Sequence, residues 1–330
     1  MIPSSKFLGR SSAAFEMARA IVKAAPTDAS VLIVGESGTG KEVVARTVHS
    51  RSRRADAPFV AINCGAITAS LAESELFGHE KGSFTGAVAR STGCFERAHT
   101  GTLFLDEVTE MPMSIQVQLL RVLETGTFHR VGGSEPISVD VRIIAATNRD
   151  LQETVKAGTF RSDLLYRLAV FPIRVPPLRE RKPDIVYLAQ RFLEDLNKQE
   201  GGKKTLSSTS LTRLQQYNWP GNIRELKNTI IRAYILSEGN EIEIAPMRPF
   251  FRDTAPTRHL DMLRIPVGTS LAAAERSIIL ATLDHYGGDR KRSALALGIS
   301  PKTLYNRLEQ IKRNGAPANE PEKVVEREGA

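Results

Sequence analysis

Short apolar runs alternate with helix-like spacing over the first 175 residues of the chain. Each run is short enough to be a buried strand, and the runs occupy residues 30–34, 59–64, 101–106 and 139–146. Between them, residues 43–49 and 115–124 carry apolar side chains three or four positions apart, which predicts helices. Strands that alternate with helices are typical of an α/β fold, so residues 1–175 are predicted to form an α/β domain.

The periodicity changes after this domain. Pro176 and Pro177 end the alternating pattern, and from Asp184 onward the apolar spacing is helical. Residues 176–245 are therefore predicted to form a small helical subdomain. Four prolines follow in the irregular stretch 246–270, which predicts an extended, semi-rigid linker.

Residues 271–313 carry three short helical patterns. The first spans residues 271–286 and is expected to bury four apolar side chains, namely Leu271, Ile278, Ile279 and Leu283. The second spans residues 290–297, and Gly298 makes the turn that follows it. Ser300-Pro301 begins the third helix, because serine is a favoured cap and proline a favoured first helical residue.

The outward face of the last two helices is basic. Residues 287–313 hold seven Lys or Arg against two acids, so this segment carries most of the net charge of +8. Leu304, Leu308 and Ile311 face inward. Two helices joined by a glycine turn with a basic face predict a DNA-binding helix-turn-helix, although a scaffold with a merely solvated face is the alternative. The candidate DNA contacts are Arg290, Lys291, Arg292, Lys302, Thr303, Asn306 and Arg307.

Composition and cysteine count indicate the class of the protein and the compartment in which it works. The 330 residues are 41% hydrophobic and 25% charged, as in globular proteins, and no run of about 18 apolar residues is present. Residues 1–8 lack the apolar core of a signal peptide. Two cysteines, Cys64 and Cys94, are too few for a disulfide framework, which favours the cytoplasm. The polar segment 314–330 is predicted to be a disordered tail.

A glycine-rich loop follows the first predicted strand and leads into a helix. The loop and the first helical residues are Gly35, Glu36, Ser37, Gly38, Thr39, Gly40, Lys41 and Glu42. In this context the backbone N–H groups hold phosphates and Lys41 reaches the terminal ones, which predicts a site for ATP with Mg²⁺. The general motif has Ser or Thr after the lysine, where this chain has Glu42. A chance glycine turn is the alternative.

Polar residues follow two other predicted strands. Asp106 and Glu107 come at the end of the strand 101–106, where Asp106 would hold Mg²⁺ and Glu107 would polarise the attacking water. A solvated acidic turn is the alternative. Thr147 and Asn148 follow the strand 139–146, and Asn148 is predicted to sense the terminal phosphate.

A loop that carries an aromatic residue between glycines lies, in sequence, between the glycine-rich loop and Asp106. Within residues 75–87, its second half is Gly82, Ser83, Phe84, Thr85, Gly86 and Ala87. The two glycines free the backbone for a projecting tip, and an aromatic ring at such a tip is available to touch another molecule. The alternative is a polar loop whose Phe84 folds back onto its own domain.

This hexapeptide, together with the motifs around it, resembles the GAFTGA loop of bacterial enhancer-binding proteins, the AAA+ activators of sigma-54 RNA polymerase. Five of six positions agree, with Ser83 where alanine is usual. The resemblance covers about residues 7–245 and 271–313. It implies a P-loop AAA+ domain with a parallel sheet and a helical lid, followed by an all-α, Fis-type helix-turn-helix domain.

The resemblance also implies roles for single residues. The loop hexapeptide, with Phe84 and Thr85 as contact residues, would engage the sigma factor. Asn63 would hydrogen-bond the catalytic Glu107 and withhold it, the alternative being an asparagine that only satisfies a strand end. Arg161 and Arg167 would reach into a neighbouring subunit's ATP site, the alternative being surface salt bridges. Arg224 would touch the nucleotide, unless it only pairs with Glu225.

At the level of the whole protein, the resemblance implies a homo-oligomer, in this family a hexameric ring, with sigma-54 RNA polymerase holoenzyme and enhancer DNA as partners. The chain enters the ATPase motifs almost at once, so no receiver or ligand-sensing domain is expected ahead of them. Regulation by a separate protein and a truncated form both remain open.

A different class of function also fits part of this pattern. A DNA-binding regulator, including a repressor, could use an AAA+ fold only for nucleotide-dependent oligomerisation. Such relatives lack the intact loop hexapeptide, so its presence is the feature that separates the two functions. A helicase or clamp-loading enzyme is not expected to combine this loop with a terminal helix-turn-helix.

Overall fold

The computed structural model describes residues 9–84, 86–245 and 268–313. The chain divides into two units, Met1–Met247 and Arg248–Ala330. The predicted contact residue Thr85, the tail 314–330 and all but the last three residues of the predicted linker lie outside the described residues.

A five-stranded parallel sheet forms the centre of the first unit. The strands of this unit are β1 (Val31–Val34), β2 (Phe59–Asn63), β3 (Thr102–Asp106), β4 (Thr127–Phe128), β5 (Ile137–Ser138), β6 (Arg142–Thr147), β7 (Phe171–Arg174), β8 (Thr205–Leu206) and β9 (Glu241–Ile242). The large sheet has the order β2-β3-β6-β1-β7. In register, Val34 lies beside Thr147 and Asn63 beside Asp106, so the predicted site residues meet at the carboxyl edge of the sheet.

Helices cover both faces of this sheet. They are α1 (Ser12–Ala24), α2 (Lys41–Ser50), α3 (Ala69–Phe77), α4 (Cys94–Arg97), α5 (Met113–Thr125), α6 (Leu151–Lys156) and α7 (Ser162–Leu168). Along β3, Leu103 and Leu105 pack into one core cluster while Phe104 packs into another on the opposite face. Because both faces are buried, the strands are continuous apolar runs, as expected for a parallel sheet.

The rest of the first unit is a helical lid. Its helices are α8 (Lys182–Glu200), α9 (Ser208–Gln216) and α10 (Asn222–Leu236), preceded by a 3₁₀ turn at Leu178–Glu180. Trp219 is fully buried in the lid core, and its indole N–H donates to the Leu214 carbonyl at 2.9 Å. The parallel sheet, the helical lid and the helical second unit confirm the predicted fold class.

The second unit contains α11 (Leu271–His285), α12 (Arg290–Ala296) and α13 (Pro301–Arg313). Ile279, Ala294 and Leu304 form its core. The expectation that α11 buries four apolar side chains was wrong in part, because Leu271 is 86% and Ile278 is 42% exposed. Ile279 alone of the four is fully buried, since the two short helices that follow cover a single face of α11.

Strand β4 ends at Phe128 and pairs with β5 in an antiparallel ladder. One boundary in the first unit also differs from expectation. The predicted strand 139–146 begins later, at Arg142, and extends to Thr147. No helix in the part of the chain that the structure describes is long and apolar enough to cross a bilayer.

A buried histidine at the amino edge of the sheet makes stability depend on pH. His49 is 7% exposed, and its Nδ1 lies 3.0 Å from Thr102 Oγ1. Burial lowers the pKa of His49, and the positive charges of Arg142 and Arg46 act in the same direction. The unfolded chain therefore binds the proton more readily, so the free energy of unfolding should fall as pH drops below the ordinary histidine value of about 6.5.

This expectation is checked by urea unfolding of the His49→Gln variant between pH 7.5 and 5.5. The variant should lose less stability over this range than the wild type, because it has no proton to take up at this site. His129→Gln, at an exposed histidine, serves as the control. Identical pH dependence in the wild type and His49→Gln would contradict this assignment.

Candidate functional site

The glycine-rich loop joins β1 to α2 at the carboxyl edge of the sheet. Gly38 and Gly40 have φ values of 75° and 97°, a region that favours glycine. A side chain on Gly38 would also overlap the Gly221 carbonyl oxygen of the lid. The loop closes on itself where Thr39 Oγ1 donates to the Glu36 carbonyl at 2.7 Å. Its shape, with α2 beginning at Lys41, is that of a phosphate-binding loop.

Lys41 lies at the centre of this loop. Its ammonium donates to the carbonyls of Gly35 and Glu36 at 3.0 and 3.3 Å, and the side chain is largely buried. Burial lowers the pKa of Lys41, while the charges of Asp106 and Glu107 oppose the shift. The sheet thus brings the lysine and both predicted carboxylates into one electrostatic cluster.

The two carboxylates end β3 and continue into a strained turn. Burial raises the pKa of Asp106, and the nearby Lys41 charge works against this. Glu107 adopts a φ of 52°, which is unusual outside glycine, and backbone strain of this kind is found more often at functional sites than elsewhere. A side chain on Gly65 would lie 2.5 Å from Glu107 Oε2, so Gly65 leaves room for this carboxylate.

The donor set suits Mg²⁺ bound together with a nucleotide. No group of three or more His, Cys, Asp or Glu side chains able to hold a metal occurs among residues 9–84, 86–245 and 268–313. Mg²⁺ usually takes one or two carboxylates and completes its shell with water and phosphate oxygens. Asp106 fits that pattern. Glu42 instead pairs with Arg46 at 2.7 Å on the exposed side of α2.

Two polar residues at strand ends flank the carboxylates. Asn63 Oδ1 accepts from the N–H groups of Gly65 and Ala66, and no hydrogen bond joins Asn63 to Glu107 in this structure. Thr147 is buried, its carbonyl accepts from the Gly35 N–H at 3.1 Å, and the following residue, Asn148, is exposed. Asn148 thus lies next in sequence to a residue that contacts the phosphate loop.

The predicted arginines lie on or beside α7. Arg161 pairs with Asp163 at 2.6 Å, and Arg167 donates to the Leu123 carbonyl at 2.8 Å. Arg167 also lines a cavity of about 340 Å³ together with Ser30 and Val141. Because Ser30 and Val141 precede β1 and β6, Arg167 belongs to the amino edge of the sheet, opposite the phosphate loop.

The lid contacts the phosphate loop more extensively than the sequence indicated. The predicted Arg224 donates to Ser37 Oγ at 3.1 Å. Three further lid residues were missed. Arg179 forms a double ion pair with Glu36 at 2.8 and 2.5 Å, Asn222 Nδ2 donates to the Ser37 carbonyl at 3.0 Å, and Arg181 donates to the Thr39 carbonyl at 2.9 Å.

The described part of the loop hexapeptide, all but Thr85, lies on a braced base. Gly82 and Gly86 have φ values of 79° and 112°, and a side chain added at either position would meet nothing within 4 Å. Phe84 is 39% exposed, and its ring meets His79 edge-on at 5.0 Å. Phe84 is not a member of the core clusters described for this unit, so its ring can move without disturbing the domain core.

Ser83, the residue that departs from the usual loop sequence, lies at the root of this tip. Its Oγ is buried and has no hydrogen-bond partner among the residues that the structure describes, and a side chain on Gly132 would come within 2.7 Å of Ser83 Cβ. Below it, Arg130 forms ion pairs with Glu80 at 2.9 Å and with Glu96. The buried Ser83 hydroxyl without a partner destabilises the observed position of the tip, whereas the ion pairs of Arg130 hold the base of the loop.

The two cysteines are free and buried within the first unit. Burial raises the pKa of Cys64 to about 12 and also raises the pKa of Cys94. Since the thiolate is the reactive form, both thiols are inert near neutral pH. They serve packing beside the site rather than its chemistry.

The second unit presents the predicted basic face. All seven candidate DNA contacts are exposed, namely Arg290, Lys291, Arg292, Lys302, Thr303, Asn306 and Arg307. Gly298, with a φ of 65°, makes the turn between α12 and α13. Arg307 also pairs with Glu275 of α11 at 3.2 Å, so its charge fastens α13 to the rest of the unit.

Comparison with known proteins places this geometry in a family. Residues 7–174 match the sigma-54 interaction domain, residues 179–262 the AAA+ ATPase lid domain, and residues 270–310 the Fis family of bacterial regulatory proteins. The three matches follow the order of the phosphate-loop domain, the lid and the terminal helices described above.

Individual relatives agree with these matches. Transcriptional regulatory protein FlbD of Caulobacter vibrioides is 48% identical over 312 residues, covering 90% of this chain and 68% of the relative. Regulatory protein AtoC of Escherichia coli is 46% identical over 309 residues, covering 92% and 67%. A crystal structure of NtrX from Brucella abortus in complex with ATP has a TM-score of 0.67 at 36% identity, covering 94% of this chain and 70% of that one.

The chain thus spans about two thirds of the length of these relatives. Its own sheet carries the phosphate loop and carboxylates, its lid closes on that loop, and its terminal helices carry a basic face. The chain therefore belongs to the family of sigma-54-dependent transcriptional regulators, which join a sigma-54 interaction AAA+ domain and its lid to a Fis-type helix-turn-helix.

Proposed function

We propose that this protein is an ATP-hydrolysing transcriptional activator that binds enhancer DNA and remodels the closed complex of sigma-54 RNA polymerase. The observation that carries the proposal is the exposed Phe84 tip on a braced loop, in the same unit as a formed phosphate loop. Neither DNA binding nor nucleotide-dependent oligomerisation needs such a tip. A partly exposed aromatic at a loop tip suits a contact made with another protein.

The chemistry proposed for the site is phosphoryl transfer to water. When bound, ATP supplies the phosphoanhydride and Mg²⁺ neutralises the phosphate oxygens. Asp106 would hold the metal, and Lys41 would exchange its two carbonyl partners for phosphate oxygens. Glu107 would orient and deprotonate the attacking water, while Asn148 would sense the terminal phosphate.

Assembly into a ring, proposed to be hexameric, would complete the site. Strand β1 is four residues long, or about 13 Å, and separates the edge that carries Arg167 from the edge that carries the phosphate loop. Arg167 is therefore poorly placed to serve its own site and suits that of a neighbouring subunit. Arg161, six residues before it, would act with it to stabilise transition-state charge.

The terminal helices would hold the protein on DNA upstream of the promoter. The N-terminal part of α13 would enter the major groove, where Asn306 is suited to adenine and Lys302 to phosphate or guanine. With these partners, the activity would be located in the cytoplasm. A regulatory protein that acts in trans would fit the same scheme.

DNA binding of this kind has a measurable charge signature. Lys302→Ala should weaken enhancer DNA binding about three- to tenfold and reduce the slope of log affinity against log salt by about one, because one phosphate contact is lost. Lys203→Ala, at an exposed lysine of the lid, is the matched control and should change neither quantity. Affinity titrations from 50 to 200 mM salt measure both. An unchanged slope for Lys302→Ala would contradict the proposed contact between Lys302 and a phosphate, and with it the proposed position of α13 at the DNA.

Purified transcription separates the proposed function from the regulator or repressor alternative. With sigma-54 holoenzyme, a promoter carrying an upstream site and ATP, the activator should raise transcript yield in an ATP-dependent way. A repressor that only oligomerises on nucleotide would bind the same DNA and leave transcript yield unchanged or lower it.

A further inference from the structure

The residues just before α1 are tied to the lid. Asp184, in the first turn of α8, is fully buried. Its carboxylate accepts from the Arg10 N–H at 2.5 Å, from the Ser11 N–H at 2.7 Å and from Ser11 Oγ at 2.7 Å. The Arg10 guanidinium also lies 4.4 Å from the ring centroid of Tyr187. Residues 9–11, called the strap below, thus bind one turn of the lid.

The strap fits this turn closely. Gly9 has a φ of 101°, a conformation that side chains disfavour. A side chain at Gly9 would also overlap the Asp184 carboxylate itself. Ser11 has a second task, because its Oγ accepts from the Ala14 N–H and caps α1. The start of α1 and the start of α8 are therefore held by one shared set of hydrogen bonds.

The same lid turn also holds the phosphate loop. Arg181 is 1% exposed, and its guanidinium donates to the Thr39 carbonyl at 2.9 Å. The Arg181 carbonyl accepts from the Asp184 N–H at 2.9 Å, which joins the two residues directly. On the outer side of the turn, Arg179 pairs with Glu36. The turn Arg179–Asp184 thus contacts the strap at one end and the phosphate loop at the other.

We propose that this turn couples the strap to the phosphate loop, and that Asp184 and Arg181 are positioning residues for ATP. The strap fixes the position of the Asp184 carboxylate, and Asp184 in turn fixes the position of the turn Arg179–Asp184. Arg181 of this turn then holds the Thr39 carbonyl, which precedes Gly40, the last glycine of the phosphate loop. A change in the strap then alters ATP affinity although no strap residue belongs to the phosphate loop. This inference rests on the proposed ATP hydrolysis.

Two variants disturb the strap without touching the loop. Gly9→Ala introduces the overlap with Asp184, and Asp184→Asn replaces an acceptor-only group by one that cannot accept all three hydrogen bonds. Gly201→Ala is the matched control, because Gly201 has a φ of 66° at the end of the same helix but nothing within 4 Å. Circular dichroism and thermal melts identify variants that fold. If Gly9→Ala or Asp184→Asn fails to fold, Ser11→Ala, which removes one hydroxyl donor, takes its place with a smaller expected effect.

The readouts are the dissociation constant for a fluorescent ATP analogue, KM and kcat for ATP, and hydrogen exchange of residues 36–41 without nucleotide. Coupling predicts a KM and a dissociation constant about five- to tenfold higher in Gly9→Ala and Asp184→Asn, with kcat changed less than about threefold. Loop amides should exchange faster in both variants and not in Gly201→Ala.

Folded variants with wild-type affinity and wild-type loop exchange would overturn the inference. A wild-type chain that binds no ATP analogue would overturn the proposed function instead, since loop exchange is measured without nucleotide.

Discussion

Glu107→Gln should bind ATP as the wild type does and hydrolyse it at least about 100-fold more slowly, because glutamine cannot take the proton of the attacking water. Its amide has the size of the carboxylate, so the space left by Gly65 still accommodates it. Steady-state phosphate release and binding of a fluorescent ATP analogue measure the two quantities separately. A hydrolysis rate within about threefold of the wild type would show that Glu107 is not the group that deprotonates the attacking water.

A neighbouring carboxylate provides the control for this variant. Glu110 ends the short 3₁₀ turn Val108–Glu110 that directly follows Glu107, and it pairs with Arg149 at 2.6 Å, so Glu110→Gln should leave hydrolysis within about twofold of the wild type.

Glu107→Gln also tests the proposed action of Arg167 between subunits. Arg167→Ala alone should hydrolyse ATP slowly, because an arginine at such a site is worth about 1,000-fold or more in rate. A mixture of the two variants forms some interfaces with one intact Glu107 and one intact Arg167. Partial recovery of activity on mixing is expected, whereas an additive rate from the two separate variants would place Arg167 outside the neighbour's site.

Phe84→Ala should keep ATP hydrolysis within about twofold of the wild type and lose promoter opening at least about 30-fold. The ring is 39% exposed and packs edge-on against His79, and neither residue belongs to the ATP site described above, so loss of the ring should leave that site intact. A buried aromatic anchor at a protein interface is commonly worth about 2 kcal/mol or more, which corresponds to this factor.

The matched control is Val88→Ala, because Val88 is 82% exposed just beyond the hexapeptide. This variant should open promoters nearly as well as the wild type. If Phe84→Ala lost hydrolysis and opening together, the ring would belong to the ATP site or the assembly. If both activities survived, the tip would not be the contact with sigma-54 polymerase.

Much of the site could be predicted because it depends on local sequence. The phosphate loop, Asp106 and Glu107 each follow an apolar run, and the carboxyl ends of parallel strands meet at one edge. The strand pairing of Asn63 with Asp106 and of Val34 with Thr147 then follows from the fold. The same local signals predicted the turn at Gly298 and the helix that begins beside it.

The contacts made by the lid could not be predicted in this way. Arg179 and Glu36 are 143 positions apart, and Ser11 and Asp184 are 173 apart, so no periodicity connects them. The sequence gives only a weak signal for these contacts. Glu36 is a carboxylate inside the phosphate loop, so it requires a cationic partner if its charge is not to repel the phosphates. Gly65 likewise has no local signal, because its role appears only when Glu107 occupies the space beside it.

Helical periodicity also overestimated burial in α11. Apolar spacing identifies a helix face but not whether another element covers it, so the spacing predicts Leu271 and Ile278 in a core that is too small to include them. For Arg307, position on the helix predicted an outward side chain, and the salt bridge to Glu275 emerges only from the packing of α11 against α13.

The measurement that tests the central claim most directly is strand separation at a sigma-54 promoter. Purified protein, holoenzyme and a promoter with its upstream site are combined with ATP or with a non-hydrolysable analogue, and unpaired thymines are detected by permanganate. Unpaired thymines are expected around the start site when the wild-type protein is given ATP, and none are expected with the analogue or with Glu107→Gln. Opening that is equally strong with the analogue, or absent with ATP while the wild-type protein hydrolyses it and binds the DNA, would contradict the account.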